Sequence, residues 1–63
     1  MTFNDMRNEL VNKAGTEDND TWLIVGKFDI AETLANLVRS PEHVAMQRKA
    51  RLALKAAWEA NFS

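Results

Sequence analysis

From Pro41 to about Phe62 the chain carries no glycine or proline, and Ala, Leu, Lys, Arg, Gln and Met dominate the stretch. Such a run reads as one helix of roughly 20 residues, roughly 30 Å long. Ser40 is placed to cap it, Pro41 sits at the first helical position where a missing N–H costs nothing, and Glu42 suits the positive end. In a chain of 63 residues, a rod of that length fixes what the remainder can be. The rest must form shorter elements that pack across it.

Two such elements are legible. Thr2 with Asp5 three residues on is close to a capping box, and Phe3, Met6, Leu10, Val11 and Ala14 then recur at helical spacing up to Gly15. A turn-forming, acidic loop follows over 15–20. Residues 21–28 admit two readings. Trp22-Leu23-Ile24-Val25 has the β-branched and aromatic character of a strand, and Gly26 weakens a helix by about 1 kcal/mol. A lone strand, however, leaves its backbone groups without partners. Read as helix, Ile24, Phe28, Ala31, Ala35 and Val38 form one stripe, widened by Leu23, Ile30, Leu34 and Leu37. Helix is the reading adopted, with a possible break near Gly26 where Asp29-Ile30-Ala31-Glu32 resembles a second cap.

The expected fold is therefore all-α, a single domain over 1–63 with helices at about 2–14, 20–39 and 41–62, the last one long. A domain this small buries only about 60% of the surface its unfolded chain exposes, so small folds usually add disulfides, a metal or a partner subunit. Cysteine is absent and His43 is the single histidine, which removes disulfides and most metal sites. A homodimer is the support still open.

The long helix points to where that dimer would form. At 100° per residue, Met46, Ala50, Ala53, Leu54, Ala57 and Ala60 make an alanine-rich stripe suited to the core. A second row runs Val44, Arg51, Trp58, with Arg48, Lys55 and Phe62 beside it. Trp58 and Phe62 either fold back onto Phe3 and Met6, or form a seam for a second copy or another protein, because Trp and Arg are enriched at interface hot spots. The seam is the reading adopted, so Val44, Arg48, Arg51, Lys55, Trp58 and Phe62 are the candidate interface.

Other chemistry finds less support. Charge divides as −3 over 1–39 and +2 over 40–63, a polarity that bears on partner choice. Arg48, Lys49, Arg51 and Lys55 have the charge to grip phosphates, yet they spread around the helix, so nucleic acid is not the favoured partner. A helix-turn-helix would lead with Glu42, His43 and Gln47, a poor reading set. A ribbon-helix-helix repressor, the alternative, would read bases with Thr21, Leu23, Val25 and Lys27, two of them apolar. Glu17, Asp18 and Asp20 lack the glycine and spacing of a calcium loop. His43 has no nucleophile beside it in sequence and is expected at the surface. No catalytic, metal or cofactor residue is expected. The longest apolar run, Trp22 to Val25, is too short for a membrane span. Residues 1–7 lack a signal-peptide pattern, so the cytosol is the expected compartment.

Taken whole, the length, the cysteine-free helical make-up, Met1-Thr2-Phe3-Asn4-Asp5-Met6-Arg7 and the alanine-rich 41–62 segment resemble the small accessory proteins encoded in the exo–xis region of lambda-like bacteriophages. The resemblance implies a regulatory protein made early in infection that acts on the lytic–lysogenic decision through a host protein. It assigns no functional residue.

Overall fold

The computed structural model describes residues 1–62 and has three helices: α1 (Phe3–Ala14), α2 (Asn19–Leu37) and α3 (Pro41–Phe62). All described regular structure is helical. Each start follows from local chemistry. Thr2 and Asp5 close a reciprocal capping box at 3.0 and 3.1 Å. Asp18 caps α2, accepting from the Thr21 amide at 3.1 Å and the Thr21 hydroxyl at 2.8 Å. The Ser40 hydroxyl accepts from the His43 amide at 3.2 Å.

The stops are equally local. Gly15, at φ 59°, ends α1 and donates its N–H to Val11 O at 3.1 Å. Its own carbonyl accepts from the Trp22 indole at 2.6 Å, which ties the connecting loop to the first turn of α2. That helix ends at Leu37 and not at 39 as expected, with Val38 extended. The short link must swing the chain round to a capping Ser40 ahead of Pro41, whose ring disfavours helical geometry in the residue before it. His43, expected at the surface, is half-buried, with Nδ1 2.8 Å from Val38 O. A tautomer with the proton on Nδ1 makes this a donated bond across the turn.

No break occurs at Gly26. Thr21 and Val25 before it and Phe28, Ala31 and Ala35 after it are all buried on one side of α2, so packing along the whole length outweighs one poor helix former. Asp29, read as the start of a second cap, instead receives Arg7 from α1. A Cβ at Gly26 would meet nothing within 4 Å. Gly26→Ala is therefore expected to raise stability by about 0.5–1 kcal/mol, read as a higher urea midpoint at unchanged slope.

Leu10, Val25, Phe28 and Leu54 form the core, with Phe3, Met6, Val11, Ile24, Ala57 and Trp58 packed around them. The orientation of α3 differs in part from expectation: Leu54 and Ala57 of the expected stripe do face the core, but the rest of that stripe does not lead inward. Its inward face is Val44, Gln47, Arg51, Leu54, Trp58 and Asn61, while Met46, Ala53 and Ala60 are exposed. A helix gains more by covering an indole than by covering alanine methyls, so the rod turns its Trp58 row inward.

Candidate functional site

The residues nominated from the sequence divide into two groups. Val44, Arg51 and Trp58 are half-buried against the rest of the chain, whereas Arg48, Lys55 and Phe62 are exposed. The Trp58 indole donates to the Glu9 carboxylate on α1. Its ring stacks on Phe62, with centroids 5.7 Å apart and planes at 25°. Lys13 closes this end, its ammonium 5.1 Å from the Phe62 centroid and donating to Asn61 O at 2.7 Å. A cation on the last carbonyls of α3 also complements the helix dipole.

Arg51 faces inward for a different reason. Its Nε and Nη2 reach Glu32 at 3.2 and 2.8 Å, and the guanidinium lies 5.1 Å from the Phe3 centroid. Gln47, buried between α2 and α3, donates its amide to the same carboxylate. Burial pushes the Glu32 carboxyl up, but the Arg51 and Gln47 donors outweigh it and hold the group below the usual carboxylate range. Donors from Thr2 and Thr21 likewise hold Asp5 and Asp18 low. A carboxylate depressed in the folded state stabilises the fold at any pH above its unfolded value of about 4, and loses that contribution as pH falls through the folded value. The urea midpoint is therefore expected to be lower at pH 3 than at pH 6, and Glu32→Gln should flatten that difference. Equal midpoints at the two pH values would contradict the assignment.

Phe62 and, on the same helix, Leu52 are exposed, but the longest regular row of uncovered apolar side chains lies on α2. Leu23, Ile30 and Leu37 succeed one another at seven-residue spacing along α2 and are 62%, 60% and 75% exposed. Beside them, Ile24, Lys27 and Ile30 face Met46, Lys49, Ala50 and Ala53 across a groove of about 370 Å³ between α2 and α3. Of the stripe expected in the core, Leu54 is buried and Ala57 packs beside it, whereas Met46, Ala50 and Ala53 line an open groove. The Val44, Arg51, Trp58 row expected at a seam packs against its own chain. The missed signal was α2 itself, whose apolar residues continue round most of its circumference; two neighbours cannot cover such a helix.

A second depression, about 510 Å³, lies between α1 and α2 and is polar, with Asn4, Asn8, Thr33 and Asn36 at its walls. Its charged members are already engaged, since Arg7 forks onto Asp29 at 3.1 and 3.0 Å. Among the described residues no group of three His, Cys, Asp or Glu side chains is arranged to hold a metal ion. Every described buried side-chain polar atom has a hydrogen-bond partner. No described helix is long and apolar enough to cross a membrane. What the surface offers chemically is an apolar face and its bordering cations. No family model matches the chain, and no curated protein or solved structure is significantly similar to it.

Proposed function

We propose that this chain is a non-enzymatic regulatory protein that works by docking another protein on its α2–α3 face. The observation that carries this reading is the Leu23, Ile30, Leu37 row, which stays exposed although the same helix has a complete buried side. An exposed apolar row beside a groove is where association removes the most apolar area from water. In this reading, which takes up the resemblance to lambda-like phage accessory proteins, the action falls in an infected bacterial cell, on the choice between lysis and lysogeny. The partner is another protein of that cell or a second copy.

The test is expression in a lambda-like lysogen. The intact chain should change the fraction of cells that induce, and the variant with Leu23→Gln, Ile30→Gln and Leu37→Gln, at equal abundance, should not. Glutamine keeps helix propensity close to that of leucine. An unchanged effect from the folded triple variant would contradict the reading.

A DNA-binding role draws on the exposed cations Arg48, Lys49 and Lys55 of α3. The ribbon-helix-helix form of that role fails, because residues 21–28 are helical and offer no strand to pair. Retardation of duplex DNA that disappears between 50 and 200 mM salt, at about the steepness of several phosphate contacts, would support the remaining form.

A further inference from the structure

Granting that the α2–α3 face docks a protein, we propose that its groove receives an acidic amphipathic helix from a different protein. The groove has the proportions for one. Ile24 to Ile30 on α2 and Met46 to Ala53 on α3 each extend over about two turns, or roughly 10 Å. A helix seated between two others presents apolar side chains at i, i+3 or i+4, and i+7 over that length. Ala50 and Ala53 keep one wall low, which allows the close interaxial approach that helix packing needs.

Charge selects the occupant. Lys27 and Lys49 supply all the charge among the groove-lining residues, and among the described residues neither forms an ion pair. Each lies midway along its wall, with apolar residues a turn before and after it. Their stems can lie along the apolar surface while the ammonium groups reach the rim, where Glu or Asp on the flank of an incoming helix would meet them.

A second copy fits poorly. A two-fold axis through the groove would set the Lys27 and Lys49 ammoniums of both copies against one another, a like-charge contact that disfavours the pairing. A head-to-tail arrangement would need a free acidic helix from this chain. The acidic residues of α1 lie on a helix whose Phe3, Met6 and Leu10 are already committed to the core, and the acidic loop over 16–18 has no apolar side chain to insert. Among exposed positions α2 sets the single acid Asp20 against Lys27, and α3 sets Glu42 and Glu59 against Arg48, Lys49 and Lys55, so neither presents an acidic face.

The test uses the full chain, labelled with nitrogen-15, and two synthetic peptides of about 18 residues. Both carry leucine at helical spacing; one is flanked by glutamate and the other by lysine. The glutamate peptide should bind on the order of ten-fold more tightly, from two rim ion pairs gained and two like-charge contacts avoided. Its amide shifts should cluster on Ile24, Lys27, Ile30, Met46, Lys49 and Ala53. The Lys27→Glu, Lys49→Glu variant, its helicity checked by circular dichroism, should invert the preference.

Equal binding of both peptides in the groove would overturn the acidic partner while leaving the docking face standing. Shifts confined to other surfaces, or no binding of either peptide, would overturn the groove as a helix receptor, and the lysogen assay would then decide the docking face by itself. A molar mass that doubles with concentration and reverts on Ala53→Glu would assign the groove to a second copy and overturn the proposal.

Discussion

Phe28→Ala is expected to leave a chain with no cooperative unfolding transition at 25 °C. Phe28 is the largest fully buried side chain, 1% exposed, and sits among Leu10, Val25 and Leu54 where all three helices meet. Truncating a buried phenylalanine costs about 3–5 kcal/mol through lost transfer energy and the cavity left behind. Marginal stability of about 0.05–0.15 kcal/mol per residue gives a chain of this length roughly 3–9 kcal/mol in all. The substitution therefore removes most of what holds the fold together, and little else in so small a core can rearrange to fill the space. Far-UV circular dichroism against urea is the measurement. A sigmoidal transition within about 1 kcal/mol of the parent would show that the core is centred elsewhere.

Trp58→Ala is expected to cost about 2–4 kcal/mol, somewhat less than a fully buried tryptophan because the side chain is half-buried. The loss has identifiable parts. The ring contact with the core disappears, Phe62 loses its stacking partner, and the Glu9 carboxylate loses the indole donor. Trp58→Phe should recover about half of the loss, since a phenyl ring restores apolar contact and stacking but brings no donor. Both variants should unfold with midpoints independent of protein concentration. At a seam between copies, truncation would instead change molar mass and leave the folding of each chain nearly intact. A Trp58→Ala protein with parental stability and altered mass would contradict the structure at this point.

What could be read from the sequence was whatever depends on neighbours along the chain. The Thr2–Asp5 cap, the closing Gly15 and the Ser40–Pro41 start need a few residues each, and all three lie where those residues predict. Gly26 was harder, because propensity marks a weak point while the buried residues on either side of it decide the outcome. The rotation of α3 was not legible. Two rows of apolar side chains compete for the interior there, and periodicity states their spacing without stating which one a neighbour will cover. Gln47 and Arg51 meet Glu32 from 15 and 19 residues away, a triad that exists only once that rotation is set. The exposed row on α2 was misread for the same reason. Leu23, Ile30 and Leu37 have the spacing of a core stripe, and only the number of available neighbours shows that they remain outside.

The division of the surface, with Trp58 turned inward and the α2 row turned outward, is tested most directly by urea unfolding of the Leu23→Gln, Ile30→Gln, Leu37→Gln protein at several concentrations. Three substitutions at exposed positions should cost no more than about 1.5 kcal/mol together, less than Trp58→Ala alone, with a midpoint that does not move with concentration. A loss of about 3 kcal/mol or more, together with a parent whose midpoint rises with concentration, would mean that the row is buried in an obligate assembly and that its exposure is not the free docking face described here.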